Sequence, residues 1–296
     1  MENNGLKTKR IPWIRIALAL ILLGSIMFGN GWISGSRGGS FLIEDGRLRV
    51  IPNRPDEIES RFVEIPDGDR FADIRINATS ATIAVVPASL GMSPGVRFTN
   101  LDANIEYLDN QLIIDTRGHE WRRGFQILDF GLFSLPREIT VYLPANLVDS
   151  VRIASTSGSV RMDGVSATVL EVRSTSGSVD GRNMSFTNGT LESTSGSINI
   201  NDVSWNNINV QTTSGRIRIA GADIREGSTR LQVTSGNISL GVSGRRSDFT
   251  YSFTSVSGSV RVNGERLRGR TGTGGGGEHP ITMNVTSGNI RLDFDS

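Results

Sequence analysis

A Ser-Gly pair, preceded in most cases by threonine, recurs through the C-terminal half of this chain and limits the possible folds more than any other feature. The glycines of the seven pairs are Gly158, Gly177, Gly196, Gly215, Gly236, Gly258 and Gly288. They follow one another at steps of 19, 19, 19, 21, 22 and 30 residues. A period near 20 residues is typical of folds that stack one structural unit on the next.

Apolar residues occupy fixed positions around each glycine. The fifth residue before the glycine and the second residue after it are apolar in all seven repeats, and the fourth residue after it is apolar in six, with Gly181 as the exception. Polar residues stand between these positions. Such alternation predicts half-buried strands. We therefore interpret the repeats as folded structure and not as a flexible low-complexity linker.

The seven glycines are predicted to be the structural turns of the repeat. The alternation changes phase across each Ser-Gly pair, which indicates a corner, and glycine tolerates a positive φ at such a place. The third residue before the glycine is mostly serine or threonine, whose small side chain can bond to the local backbone. A further apolar position, seven residues after the glycine, predicts a third short strand at Val165, Met184, Val203 and Ala222.

Three short strands and three corners in each unit predict an all-β fold, a parallel β-solenoid with coils of about 19 to 22 residues. A meander of hairpins with Ser-Gly as the loop fits the same pattern and stays open as the alternative. We assign residues 58–296 to this domain, with irregular first coils or a cap at 58–150 and the Thr-Ser-Gly repeats at 151–296. Thr79-Ser80-Ala81 stands where a degenerate first repeat would have Thr-Ser-Gly.

One apolar segment near the N-terminus, residues 16–33, contains no charged residue and has the length of a transmembrane helix. Basic residues precede it, and the positive-inside rule therefore predicts a cytoplasmic N-terminus at 1–15 and a single-pass protein of the cell membrane with an extracytoplasmic C-terminal domain. A cleaved signal peptide is the alternative, but its apolar core is normally shorter. We favour a retained signal-anchor, followed by a tether at 34–57.

These features together resemble the bacterial putative-adhesin domain family, a β-strand-repeat domain of unknown function. The resemblance rests on the N-terminal anchor, the segment "REITVYLPANLVDSVRI" and the iterated "TSGSV" and "TSGNI" units, and it covers about residues 60–296. It implies a β-helix-like fold. The layout is also similar to small membrane-anchored members associated with cell-envelope stress response systems. The family has no agreed catalytic residues, so the resemblance implies none in this chain.

Composition argues against several classes of function. Lys plus Arg total 31 and Asp plus Glu total 30, so the net charge of +1 gives no basis for nucleic-acid binding. The chain has no cysteine, which excludes disulfides, thiolate metal sites and cysteine nucleophiles. Asp163, Asp180 and Asp202 are the candidate acids of a carbohydrate-active enzyme, but they do not share one position relative to their glycines. We interpret them as solvated charges and predict no catalytic residue, no cofactor and no metal.

Three further features are candidate binding sites. The third residue after the glycine is arginine in four repeats, at Arg161, Arg218, Arg261 and Arg291, which suggests a basic stripe toward anionic wall polymers. Interruptions in that stripe favour an ordinary solvated face. The polar cluster at residues 119–123, which begins with His119, is interpreted as an exposed loop. The stretch at 269–279 lacks the lysine of a phosphate-binding P-loop and is predicted to be a glycine-rich loop inserted into the last coil.

We expect a non-enzymatic, adhesin-like binding module displayed outside the membrane. Its partners would be the lipid bilayer, through residues 16–33, and a cell-wall polymer or another envelope protein. A link to the envelope stress response follows from the resemblance alone. The alternatives are a carbohydrate-active enzyme built on a β-helix and a structural or regulatory partner of a membrane sensor.

Overall fold

The computed structural model describes residues 39–44, 47–52, 60–65, 72–101, 103–108, 110–116, 125–128, 136–144 and 148–295. These residues form strands, connecting turns and a single 3-10 turn at Arg246–Asp248, without an α-helix. The all-β prediction is therefore confirmed for this part of the chain. None of the helical structure described there has the length and apolar character that crossing a bilayer requires. The predicted cytoplasmic segment 1–15 and transmembrane segment 16–33 lie outside the described residues.

The strands are numbered in chain order. The first eleven are β1 Gly39–Glu44, β2 Arg47–Pro52, β3 Ser60–Glu64, β4 Asp73–Ala78, β5 Thr82–Pro87, β6 Gly95–Thr99, β7 Asn104–Leu108, β8 Gln111–Asp115, β9 Phe125–Leu128, β10 Glu138–Leu143 and β11 Val148–Ser155. The others are β12 Val160–Asp163, β13 Ser166–Ser174, β14 Val179–Ser193, β15 Ile198–Ile224, β16 Thr229–Val242, β17 Phe249–Ser257, β18 Val260–Val262, β19 Glu265–Leu267, β20 Thr271–Gly275, β21 His279–Ser287 and β22 Ile290–Phe294.

The chain divides into two compact units. The first comprises residues 1–57 and 123–135, and its described strands form a three-stranded antiparallel sheet in the order β2-β1-β9. Strands β1 and β2 lie within the segment that is predicted from the sequence to be a tether. The second unit comprises residues 58–122 and 136–296 and contains all of the Thr-Ser-Gly repeats.

In the second unit, successive repeats stack through parallel strand pairs. Ser155 on β11 is in register with Ser174 on β13, and Ser174 is in register with Ser193 on β14, one repeat further along the chain at each step. Strands β14, β15 and β16 continue the same pattern. This parallel register is what stacked coils require and a meander of hairpins cannot produce. The degenerate repeat is also in place, since β4 and β5 pair in parallel with β11 and β12.

The apolar positions predicted from the repeat form the core of the stack. They are buried at five residues before the glycine (Ile153, Val172, Leu191, Val210, Leu231, Phe253, Met283), two after it (Val160, Val179, Ile198, Ile217, Ile238, Val260, Ile290), four after it (Met162, Ile200, Ile219, Leu240, Val262, Leu292) and seven after it (Val165, Met184, Val203, Ala222). The exception, Gly181, leaves space that Met184 fills, because a methyl group added at Gly181 would lie 2.3 Å from the Met184 terminal methyl. Alternation along each strand thus places one continuous apolar core inside the coils.

The glycines of the Ser-Gly pairs lie directly over one another in neighbouring coils. Each position requires glycine because the backbone of the next coil lies too close for a Cβ atom. A methyl group added at Gly177 would lie 2.1 Å from the carbonyl oxygen of Gly158, and one added at Gly196 would lie 2.0 Å from that of Gly177. A positive φ is found only at Gly236, Gly258 and Gly288 among the seven. The conformational reason given from the sequence is therefore wrong for the first four glycines, where absence of Cβ is the requirement.

The serine or threonine three residues before the glycine bonds to that corner, as predicted. The Ser174 hydroxyl accepts a hydrogen bond from the Gly177 amide at 3.1 Å and donates to the Gly177 carbonyl at 3.2 Å. An equivalent bond joins the Gly196 amide to the Ser193 hydroxyl. Because these hydroxyls are buried, the bonds satisfy backbone groups that water cannot reach.

The last repeats do not stack in sequence order. Strand β21 pairs in parallel with β16 and β17, and β22 pairs in parallel with β16 and β18, so the C-terminal strands lie between two repeats that are consecutive in the chain. The glycine column shows the same order, since a methyl group at Gly288 would meet the carbonyl oxygen of Gly236, and one at Gly258 would meet that of Gly288. The chain therefore leaves a gap after β16 that its own C-terminal segment fills.

Antiparallel strands cover both ends of the stack, so the prediction of purely parallel coils is wrong at the ends. Strand β20 pairs antiparallel with β17, and β19 pairs antiparallel with β18. At the other end, β7 covers β8, and β3 pairs with β6, which pairs with β10. The predicted glycine-rich loop at 269–279 is likewise corrected, because residues 271–275 form β20. The outermost strands at the two ends are short, with 3 residues in β19 and 5 in each of β3, β7 and β20, and short edge strands limit pairing with another chain.

Candidate functional site

A shallow groove of about 540 Å³ crosses five neighbouring strands, β4, β11, β13, β14 and β15. Its floor consists of small buried residues: Ser155, Ser174 and Ser193, each three positions before a glycine, and Ala78, three positions before the Ala81 of the degenerate repeat. Exposed or half-buried side chains rise on both sides, because neighbours of an inward residue in a strand point outward. With strands about 4.8 Å apart, a groove across five strands is about 19 Å long.

One side of the groove is a column of threonines, which we call the threonine column: Thr156, Thr175, Thr194 and Thr213. Each belongs to a Thr-Ser-Gly unit, and each is exposed. Backbone bonds between coils hold the column in place, as in the bond from the Ser195 amide to the Thr175 carbonyl at 2.9 Å. The repeat therefore presents one hydroxyl, able to donate and accept, at every strand spacing.

The opposite side is lined by Asn77, Ala154, Arg173, Glu192 and Gln211, most of which are longer polar groups. Arg173 forms ion pairs with Glu171 on its own strand at 2.8 Å and with Glu192 on β14 at 3.3 Å, so its guanidinium is held by carboxylates of two adjacent strands. These pairs are partly exposed, and their main effect is on side-chain position because exposed ion pairs add little stability. Ala154, the register partner of Arg173, is the smallest side chain on this side.

The groove can therefore hold a linear ligand by repeated hydrogen bonds. It offers hydroxyls along one side and a guanidinium, a carboxylate and an amide along the other. The threonine hydroxyls recur at the strand spacing, so an extended chain lying along the stacking direction would meet one hydroxyl at each of four successive coils, whereas the side chain opposite differs from coil to coil. This groove was not predicted from the sequence, although the regular threonines and the small buried residues next to them were visible in the repeat.

The three candidate aspartates do not form one site. Asp163 accepts a hydrogen bond from Asn183 at 2.9 Å, and Asp180 accepts bonds from Ser178 and Asn199. Asp202 has a φ of 53° and occupies a corner where the preceding repeats have Asn183 and Gly164, also with positive φ. In the described residues, no cluster of three or more acidic or histidine side chains is arranged to hold a metal ion.

Of the four arginines three residues after the glycines, two have another arginine as a register partner and two do not. Arg161 is in register with Asp180, and Arg218 is in register with Ser239. Arg291 on β22 and Arg261 on β18 are direct register partners. Arg266 on β19 is the register partner of Arg261 on its other side. We call the set Arg291, Arg261 and Arg266 the arginine row.

The arginine row was missed because the stacking order and the hairpin were missed. Asn263 and Gly264 both have positive φ, 48° and 79°, and join β18 to β19. Asn-Gly between alternating residues is a strong signal for a two-residue hairpin turn, and the sequence contains it at "VRVNGERL". That signal alone would have placed Arg266 opposite Arg261. The cluster at residues 119–123, including His119, lies outside the described residues.

The family model described as Toastrack DUF4097 matches residues 59–293. The chain belongs to the Toastrack DUF4097 family. The resemblance to a repeat domain of unknown function is thereby confirmed. The match spans the Toastrack repeats and the irregular strands before them. No curated protein matches the chain.

Solved structures of low sequence identity are similar to this Toastrack chain. A putative adhesin from Bacteroides fragilis is 13% identical, with 80% of this chain and 97% of that chain covered and a TM-score of 0.42. A putative cell adhesion protein from Clostridium sporogenes is 14% identical, with coverage of 81% and 100% and a TM-score of 0.41. A putative lipid binding protein from Parabacteroides distasonis is 14% identical, with coverage of 81% and 98% and a TM-score of 0.41.

Proposed function

We propose that this chain is a non-enzymatic binding module, anchored in the cell membrane by residues 16–33 and displayed on the extracytoplasmic side, where its groove holds an extended polymer of the cell envelope. The observation that supports this most is the groove itself. It is open and about 19 Å long by strand spacing, and threonine hydroxyls recur once per coil along one of its sides. A regular row of hydrogen-bonding groups suits a repeating ligand better than a compact one.

A cell-wall polysaccharide fits the groove chemistry. Hydroxyl groups of a sugar chain can donate to and accept from the threonine column, and Arg173, Glu192 and Gln211 supply charged and amide partners on the other side. Extracytoplasmic display follows from the basic residues before the apolar segment. A role in the envelope stress response would follow if the ligand reports on the state of the wall, and a membrane sensor would then be the protein partner.

The test fills the groove without touching the core. Ala154 is exposed in the groove, and Ala154→Trp places a large side chain against Asn77 and Arg173. Full-length protein and variant are tested for binding to purified cell-wall polysaccharide by co-sedimentation. We expect the variant to lose at least about tenfold in affinity, which corresponds to about 1.4 kcal/mol. The matched control is Ala84→Trp, at an outward position of β5 away from the groove.

Three results would contradict the proposal. Equal binding by Ala154→Trp and the original protein would remove the groove from the binding site. Shortening of the polysaccharide during incubation would show an enzyme instead of a binding module. Resistance of the repeat domain to protease added to cells whose outer barriers admit the protease would contradict extracytoplasmic display.

A further inference from the structure

The arginine row lies across three adjacent strands at the C-terminal end of the stack. Register pairs Arg291 with Arg261 and Arg261 with Arg266, so all three side chains leave the same face of the sheet. All three residues are exposed. This adjacency has two causes: the insertion of β22 beside β18, and the Asn-Gly hairpin that brings β19 to the edge.

The positive charge of this row is only partly balanced within the described chain. Arg291 donates from Nε to Asp293 at 2.6 Å. Arg261 and Arg266 form no ion pair with any of the residues described. Like charges directly opposite each other on neighbouring strands are destabilising, so an anion that bridges them would relieve a cost already present in the fold.

Groups beside the row are polar and add hydrogen-bonding capacity. The Asn289 side chain donates to Asn237 at 3.1 Å and accepts from the Ser259 hydroxyl at 2.8 Å, which makes an ordered amide ladder along the row. Ser239 is the register partner of Arg291 on the inner side. A basic surface that enters a membrane carries large apolar side chains as well, whereas the register and flanking positions named here are polar.

We propose that the arginine row binds a linear phosphate-bearing polymer that runs along the stacking direction. The guanidinium fork matches phosphate oxygens in two-point hydrogen bonds. Three strands at about 4.8 Å spacing extend over about 10 Å, so one phosphate reaches one or two arginines while a chain of phosphates reaches all three. This inference rests on the proposed envelope-binding function and adds to it a second surface and a ligand class.

The experiment measures binding of fluorescent poly(glycerol phosphate) to the full-length protein over a range of salt concentrations. The variant is Arg261→Gln with Arg266→Gln, and the matched control is Arg75→Gln with Arg230→Gln, two exposed arginines on outward positions of β4 and β16 outside the row. Circular dichroism checks that both variants remain folded.

We expect the row variant to lose about tenfold or more in affinity at low salt. The slope of log K against log salt should become shallower by about 1.4, since each lost contact to a single-stranded polyanion removes about 0.7. The control variant should keep the original slope. Monomeric glycerol phosphate should compete only at much higher concentration than the polymer.

Equal losses in the two variants would overturn the inference, as would equal competition by monomer and polymer. Row-dependent binding to phosphatidylglycerol vesicles without binding to the soluble polymer would identify a lipid headgroup and also overturn it. Failure of the row is separable from failure of the proposed function. If Ala154→Trp abolishes polysaccharide binding while poly(glycerol phosphate) never binds, the groove function stands and the arginine row has no such ligand.

Discussion

Replacing Gly196 by alanine tests whether the close stacking of the glycine column holds the coils together. The added methyl group would lie 2.0 Å from the carbonyl oxygen of Gly177, whereas ordinary contacts begin at 3.4 Å. The two coils must therefore separate locally by the difference between these two distances. Backbone cannot give way as a flexible side chain would, so the displacement falls on the bonds between the coils.

Three hydrogen bonds lie next to this contact. The Thr194 amide donates to the Ser174 carbonyl at 3.1 Å, the Ser195 amide donates to the Thr175 carbonyl at 2.9 Å, and the Gly196 amide donates to the Ser193 hydroxyl at 2.9 Å. The required separation takes the two bonds between coils out of hydrogen-bonding range. Each lost bond costs about 1 kcal/mol, and overpacking adds about 1–3 kcal/mol. We expect Gly196→Ala to lower the free energy of unfolding by about 3–5 kcal/mol.

Thermal unfolding of the full-length protein, followed by far-ultraviolet circular dichroism, measures this effect. A loss of that size lowers Tm by on the order of 10 °C, at about 2–4 °C per kcal/mol. Gly241→Ala is the matched control, because it lies in strand β16 and its added methyl group would meet its nearest atom at 3.7 Å. Equal Tm values for Gly196→Ala and Gly241→Ala would refute the argument, because the short distance between coils at Gly196 would then have no effect beyond that of replacing any glycine.

Two further changes test the corner bonds and the stacking order. Ser174→Ala leaves the buried Gly177 amide without its partner and should lower the free energy of unfolding by about 1–3 kcal/mol, whereas Ser174→Thr should lower it less, because Thr212 occupies the same position in a later repeat. Urea unfolding compares the two variants, and equal midpoints would contradict the role of the hydroxyl. In the full chain, β21 and β22 fill the gap between β16 and β17, so a chain ending before β21 should expose these two strands to rapid proteolysis. Digestion as slow as that of the full chain would show that the gap closes without the C-terminal segment.

The interior of this fold could be predicted well from the sequence, because stacking makes every coil meet the same neighbour. Each inward column was visible as a repeated apolar position, and Ser174 was expected to bond to its corner. The reason for the glycines was not visible, because a methyl group at Gly177 is excluded by an atom of Gly158 in another coil. Such contacts depend on the distance between neighbouring coils, which cannot be predicted from the residues of one coil.

Stacking order was the larger omission. Counting glycines along the chain places Gly258 directly after Gly236, whereas Gly288 lies between them in space. The 30 residues from Gly258 to Gly288 fit two arrangements equally well: a loop inserted into the last coil, or a segment that returns to a position between two earlier strands. The groove was missed for a related reason, since its sides come from five strands and no single repeat contains a site.

The repeat does not require a particular charge at the third position after the glycine. The positive charge of this position at the C-terminal end of the stack therefore needs another explanation. In the middle of the stack, the third position after the glycine includes Asp180, Asn199 and Ser239, so stacking accepts an acid, an amide or a hydroxyl there. The arginines at Arg261 and Arg291 are therefore not demanded by the coil, and Arg266 belongs to a hairpin outside the repeat. Because like charges on neighbouring strands are destabilising and the coil does not require them, we infer that binding explains the arginine row. Ser239 is the register partner of both Arg291 and Arg218, so substituting Ser239 by Arg should extend the row by two strands, as far as Arg218. The affinity for poly(glycerol phosphate) should rise, with a salt dependence steeper by about 0.7 to 1.4. An unchanged slope for this variant would show that the polymer does not follow the stacking direction.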